Sequence, residues 1–502
     1  MSILVHVHLL SGKSASFEVE ADASVESLKN RAQSALVTGR GRLLKSSGEV
    51  LDGAKTFAEA KLMSGDVLTL HQNQVQLTAI GHASLFGAFA ALLGDGSVAT
   101  WGKAGFGGDS SAVQEQLKDV RQIQACAGAF AAILGDRSVV TWGKATSSGD
   151  SSVVKDQLRD VQQIQASDAA FAAILGDGSV ATWGDADYGG DSSAVQAQLR
   201  DVRQIQAAYG AFAAILGDRS VVTWGYRDCG GDSSAVQDQL RDVQQIQASE
   251  CAFAAILGDG SVVTWGRPDE GGDSSAVQEQ LKDVQQIHAS TCGAFAAIRS
   301  DGSVVTWGDA HSGGDSSAVQ EQLRDVQQIQ AAYGAFAAIL GDGSVVTWGS
   351  AVYGGDSSVV KDQLRDVQQI QASQGAFAAI LGDGSVVTWG HADSGGDSSA
   401  VQALLRDVQQ IQASGGAFAA ILFDGSVVTW GHADCGGDSS TVQDQLRDVQ
   451  QIQASQGAFA AIRSDGSVVA WGDAGLGGDS SAVQDLLRDV QQRKDTETSE
   501  SN

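Results

Sequence analysis

The side chains of this 502-residue chain best suited to binding or reaction are ten tryptophans, five tyrosines, eight histidines and five cysteines. Every Trp precedes a Gly. The tryptophans stand at 101, 142, 183, 224, 265, 307, 348, 389, 430 and 471, a step of 41 residues broken once by a step of 42. Such a ladder could stack sugars or bases, but a Trp spaced so regularly within an apolar strand is better placed as core. Cys126, Cys229, Cys251, Cys292 and Cys435 are odd in number and make no CxxC pair, so they predict neither a disulfide framework nor a zinc site. Cys229, Cys251 and Cys292 fall in neighbouring copies, where they could approach one another. Aspartates recur in turns, without EF-hand or nonapeptide spacing for calcium. No GxSxG, HExxH, P-loop or dinucleotide-binding glycine motif occurs. The expectation is a chain without catalytic residues, metal or cofactor.

A fixed period of this size means that one supersecondary unit is copied many times. Residues 326–366 are a typical copy. They read as strands at 326–330, 335–340 and 345–348, with the Asp342-Gly343 turn joining the last two. After Trp348-Gly349 and the pair Gly354-Gly355, Asp356-Ser357-Ser358 read as an N-cap for a short helix running to about Leu364. In other copies, Ser111 with Gln114 has capping-box spacing. Three short strands bury their faces only by stacking on neighbouring copies. One Phe and one Trp per copy, each covering roughly 150–250 Å², would fill the gaps between them.

The copies differ at two places. One is the four residues after each Trp-Gly, which include Phe106, Tyr188, Tyr226, Arg267, Tyr353, His391 and His432. The other is the connection between the first two strands, at or beside Phe86, Tyr209, Glu250, Cys292 and Tyr333. In an up-down-up meander both fall at the same edge of the sheet, and the nearly constant Asp-Gly turns fall at the other. A varied, loop-borne face on a constant scaffold is how binding surfaces are built. Phe106, Tyr188, Tyr209, Tyr226, Arg267, Tyr333, Tyr353, His391 and His432 are therefore the candidate partner-binding residues. Apart from one extra residue near Thr291, no insertion into a copy is expected.

Charge narrows the partners. The formal net charge is −28, and residues 1–75 are balanced at eight basic and eight acidic side chains, so the whole excess lies in the repeats. That disfavours nucleic acid and anionic membrane. No apolar run is long enough to span a membrane, and the start reads as a strand, not a signal peptide. With its unpaired cysteines the chain is expected to be a monomer of the cytoplasm or nucleus.

Before the repeats, Ile3, Val5, Val7 and Leu9 alternate along a strand. A second strand includes Phe17 and Val19, and Ser24 caps a helix bearing Val25, Leu28 and Ala32. Strands at 42–45 and 67–71 follow. This β-β-α-β-β order resembles the ubiquitin fold over residues 1–72. Leu10-Ser11-Gly12-Lys13 matches ubiquitin's first hairpin, and Arg42-Leu43-Leu44 its central strand. The resemblance implies a receptor-reading patch at Leu10, Leu44 and His71, although His71 stands where an aliphatic residue belongs. The terminal Gly-Gly is replaced by Gln72-Asn73-Gln74-Val75, so a domain that is not conjugated is expected.

The segment FAAILGDGSVVTWG…GGDSS…LRDVQQIQAS resembles the repeats of the regulator of chromosome condensation family, which form β-propellers. Its short period also resembles short-blade propellers of the bacterial β-lactamase-inhibitor kind. The expected fold is mainly β. A β-grasp domain spans 1–74 and a ten-unit propeller-like array spans 75–492, each unit having three strands and a short helix. A disordered polar tail spans 493–502. Ten copies leave open a ten-bladed ring, a seven-bladed ring with three extra units, and an open superhelix. The functional expectation is a non-catalytic scaffold. The array would bind a protein, and the N-terminal domain would connect it to ubiquitin receptors or the proteasome. The alternative is a propeller-type regulator, either an exchange factor for a small GTPase or an enzyme inhibitor.

Overall fold

The computed structural model describes residues 2–9, 12–36, 41–53, 55–71, 74–80 and 87–487. Leu10, Ser11, Phe86 and the tail at 493–502 lie outside the described residues. The N-terminal unit comprises β1 (Ser2–His8), β2 (Ser14–Glu20), α1 (Val25–Leu36), β3 (Arg42–Lys45) and β4 (Val67–His71). The sheet order is β2-β1-β4-β3, with β1 and β4 parallel and the other pairs antiparallel. Val5, Val7, Leu43, Leu68 and Leu70 turn inward onto Val25, Leu28, Ala32 and Leu36 of α1. The Ser24 hydroxyl accepts the Ser27 N–H at 3.2 Å, which is the predicted cap. This is a β-grasp arrangement.

The rest of the chain forms ten three-stranded antiparallel sheets. In the seventh the strands are Val326–Ala331, Ala335–Leu340 and Val345–Gly349, and Phe336 lies opposite Trp348 in the register. The middle strand is buried on both faces, because Phe336 and Ala338 pack toward one neighbouring blade and Ala335 and Ala337 toward the other. Alanine allows that approach, and the aromatic pair fills what remains. In each blade Phe and Trp rings lie 5.2–5.3 Å apart. Every Trp indole N–H is spent on the carbonyl of the left-handed residue ending the preceding blade's turn, a glycine in nine copies, as from Trp348 to Gly313 at 3.0 Å, and Ser148 for Trp183. The tryptophans are 2–4% exposed, so the ladder is core.

The array closes into a ring. Trp101 of the first blade donates to the Gly477 carbonyl of the tenth at 2.9 Å, across 376 residues of sequence. Phe89, Ala91, Ala99 and Trp101 pack with Ala458, Ala460, Ile462, Val468 and Leu487. A Cβ on Gly477, at φ +98°, would stand 2.4 Å from the Phe89 ring. The innermost strands touch in succession all the way round, with Val449–Ala454 meeting Gln76–Ala79. Of the three geometries left open, the molecule is a ten-bladed ring, beyond the about four to eight blades usual for propellers.

Three details differ from the sequence reading. The helix expected after Asp356-Ser357-Ser358 does not form, that stretch running as successive turns, and the seventh unit's one helical turn is a 3-10 turn earlier, at Ala351–Tyr353. Ser111 does not make a capping box. Asp109 accepts the Ser111 N–H at 2.9 Å, and Gln114 bonds Ser110 and the Val98 carbonyl. These local side-chain bonds compete with a helix for the same backbone groups. The first blade carries an insertion. Its inner strand ends at Ala79 and its middle strand starts at Ala88, whereas Ala125 and Ala129 bound the same connection in the second blade. The sequence does not reveal the insertion, because the first inner strand, Gln76-Leu77-Thr78-Ala79, lacks the VxQIxA pattern that sets the phase elsewhere. Residues 81–86 lie outside the described residues.

Candidate interaction face

Each 3-10 turn after a Trp-Gly begins with a residue in extended conformation and ends on a left-handed residue, Gly in nine of the ten copies and Ser148 in the second. This holds the variable residues in fixed positions at the end of the outer strand. The connections between inner and middle strands reach the same edge. There they form something the sequence does not reveal, a belt of backbone hydrogen bonds running from blade to blade. Ala127 N–H donates to Asp168 at 3.0 Å, Asp168 to Tyr209 at 2.9 Å and Tyr209 to Glu250 at 2.8 Å. The belt resumes from Cys292 through Tyr333, Gln374 and Gly415 to Gln456. The copy containing the extra residue near Thr291 falls at the break.

This belt brings the two variable sets together. Tyr188 of the third blade meets Tyr209 of the fourth edge-on, with ring centroids 5.3 Å and hydroxyls 3.4 Å apart. The hydrogen bond shared with Tyr188, with burial, pushes the Tyr209 phenol well above its ordinary range. Tyr333 and Tyr353 pair at the same separation within the seventh blade. Tyr333 is pushed up to about 12, chiefly by its hydrogen bond with Cys292, whose own thiol is raised by burial. Tyr226 is 46% exposed. Phe106 lies under the Lys144 ammonium at 5.5 Å. Arg267 pairs with Glu270 at 2.5 Å. His391 is exposed, and His432 lines a groove of about 510 Å³ with Asp393 and Asp397.

The cysteines depart from the expected absence of a disulfide. Cys229, ending the fourth blade, is joined to Cys251, in the connection of the fifth, by an S–S bond of 2.08 Å. The belt that aligns these two variable positions places them together, and a separation of 22 residues in sequence gives no hint of it. Cys126, Cys292 and Cys435 are not in disulfides, and the Cys126 thiol lies 3.2 Å from the Ser148 hydroxyl. Among the described residues no group of His, Cys, Asp and Glu is arranged to hold a metal.

In the N-terminal unit, Leu44 and His71 are half-buried on the β3–β4 surface, and Leu10 lies outside the described residues. Arg42, one position before Leu43 and paired with His71 across the sheet, was missed as a functional residue. Its side chain is buried against the propeller. It donates to the Asp95 carbonyl at 2.9 Å and the Val120 carbonyl at 3.1 Å, and it forms an ion pair with Asp119. Burial lowers its pKa, and the Asp119 and Asp95 carboxylates partly offset this. Lys29 of α1 lies 3.8 Å from Asp95. The N-terminal unit thus touches the hairpin face of the first blade, opposite the variable face.

No protein-family profile and no curated protein matches the sequence. Among solved structures, one of Kap60 bound to yeast RCC1 (Prp20) is 14% identical over 69% of this chain and 89% of that chain, with a TM-score of 0.34. Prp20p from Saccharomyces cerevisiae, described with its binding to Gsp1p and histones, is 12% identical over 64% and 83%, with a TM-score of 0.31. Caldiarchaeum subterraneum ubiquitin is 18% identical over 14% of this chain and 91% of its own, with a TM-score of 0.13. At these identities and scores no function transfers.

Proposed function

We propose that the chain is a non-catalytic interaction scaffold. The propeller binds a protein partner through its variable face, and the N-terminal domain links that partner to ubiquitin-pathway receptors or the proteasome. One observation carries the first half: the positions where ten near-identical copies differ converge on one face and meet there as side-chain pairs. Tyr188–Tyr209 and Tyr333–Tyr353 supply rigid, partly exposed aromatic anchors of the kind that dominate protein interfaces. The opposite face repeats the same Asp-Gly turns with little change.

The second half rests on the β-grasp topology. Arg42 adds a condition, because a receptor reading the surface around Leu44 and His71 must compete with the propeller for it. The test is quantitative affinity capture with the full chain and with Tyr188, Tyr209, Tyr333 and Tyr353 all changed to Ser. Loss of captured proteins with an unchanged circular-dichroism spectrum supports the face. An unchanged captured set refutes it. Capture on proteasome or ubiquitin-receptor preparations tests the link, which fails if Leu44→Ala and His71→Ala leave recovery unaltered.

A further inference from the structure

The contact made by Arg42 is one instance of a pattern repeated around the hairpin face. Its guanidinium lies between Gly96 of the first-blade hairpin and Asp119, the residue just before the next inner strand. It is held by one carboxylate and two backbone carbonyls. A Cβ on Gly96 would stand 1.6 Å from Nη2, so the glycine is what makes room. In the second and fourth blades the same hairpin position is occupied by Arg137 and Arg219. They fill the space from within, each pairing with the equivalent aspartate, Asp160 or Asp242, at 2.6 Å. Three blades therefore place a guanidinium at the hairpin against this carboxylate, and beside the third-blade hairpin Arg203 pairs with the equivalent Asp201 from the next inner strand at 2.7 Å. Of the three, one comes from another domain where the hairpin has Gly, and two come from the hairpin itself.

The fifth to ninth blades have the glycine and the aspartate with no guanidinium paired to that carboxylate, the sixth-blade hairpin's own Arg299 turning instead to the Lys282 carbonyl and Asp301. Gly302, Gly343 and Gly384 lie beside Asp325, Asp366 and Asp407, with each glycine's Cβ direction meeting the aspartate Cα at 2.8–3.0 Å. The three aspartates are exposed, and no Lys, Arg or His lies within ion-pair distance of them among the described residues. Asp325 and Asp366 each hold only the amide of Gln327 or Gln368. The carbonyls corresponding to Asp95 and Val120 belong to Asp301 and Val326, Asp342 and Val367, and Asp383 and Val408. Phe423, 78% exposed in the next hairpin, offers a ring on which a guanidinium can stack.

We propose that this arc is a docking site for an arginine-rich polypeptide segment, which seats successive guanidinium groups as Arg42 is seated at the first blade. Arginine, not lysine, is specified: one carboxylate and two carbonyls in fixed positions match a planar fork of donors, and an ammonium cannot reach all three at once. The site lies on the face opposite the variable loops and is independent of the function proposed above.

Fluorescence anisotropy with the full chain, using labelled nonamer peptides of alternating Arg-Gly-Ser or Lys-Gly-Ser at about 0.15 M salt, tests it. The arginine peptide is expected to bind at least about tenfold more tightly than the lysine peptide. The triple variant D325N/D366N/D407N should cut that preference at least about threefold, leaving only the flanking Asp283 and Asp448 positions. Asn tolerates the positive φ of these positions, +53 to +56°, so folding is preserved. The triple variant D187N/D228N/D393N removes equal charge from the opposite face and should leave binding within about twofold, since distant charges are screened. Equal binding of both peptides, or equal loss in the two variants, would show attraction to bulk negative charge and overturn the proposal.

Discussion

Replacing Trp101 by Ala probes the seam that turns an array into a ring. Trp101 is 3% exposed, stacks on Phe89 at 5.3 Å and donates to Gly477 at 2.9 Å. Trp348, deep in the array, is 4% exposed, stacks on Phe336 at 5.2 Å and donates to Gly313 at 3.0 Å. Truncating a buried Trp costs about 3–5 kcal/mol through lost burial and the cavity left behind. The abandoned glycine carbonyl adds to that cost. Because the two environments coincide, Trp101→Ala and Trp348→Ala should destabilise by the same amount within about 1 kcal/mol. The readout is the first transition in guanidinium chloride, followed by tryptophan fluorescence and circular dichroism. In an open array Trp101 would have no preceding blade to pack on. A loss below about 1 kcal/mol for Trp101→Ala, beside about 3–5 kcal/mol for Trp348→Ala, refutes closure.

Three further outcomes are expected. Alkylation of the denatured, unreduced chain should label Cys126, Cys292 and Cys435 and spare Cys229 and Cys251; replacing the pair by Ser should cost about 3 kcal/mol from the loop of 22 residues it closes, read from denaturation midpoints. His288 occupies an inner-strand position where eight copies have Gln and lines a cavity of about 590 Å³. Its Nε2 is buried without a partner, and burial lowers its pKa. Its neutral form is favoured in the fold, so stability is fully present above the unfolded value near 6.5 and falls as pH drops below it. His288→Gln should flatten the melting temperature between pH 7.5 and 5.5. Arg42→Ala should loosen the N-terminal domain and accelerate tryptic cleavage between the two units, with the propeller's own melting temperature unchanged.

The repeat was legible because near-identical copies force one phase on the sequence, and the Phe, Trp and alanine positions followed from strand alternation. The convergence of the variable positions followed from the meander alone. What the belt adds was not legible, because its hydrogen bonds use backbone groups and no side-chain pattern encodes them. The Cys229–Cys251 bond and the Tyr188–Tyr209 pair depend on that belt. Arg42 was read as part of a central strand, since nothing local shows that its partner, Asp119, lies 77 residues away in another domain. Ring closure depends on blade-to-blade rotation, a small angle summed ten times, which the sequence of a single copy does not state.

The most direct test of the scaffold account is a hydrogen-exchange footprint of the full chain with and without a partner it captures. New protection is expected in the connections around Asp168, Tyr209, Tyr333 and Gln374 and in the turns Ala186–Tyr188 and Ala351–Tyr353. Protection confined to the Asp-Gly hairpins, with these segments exchanging as in the free protein, would contradict it.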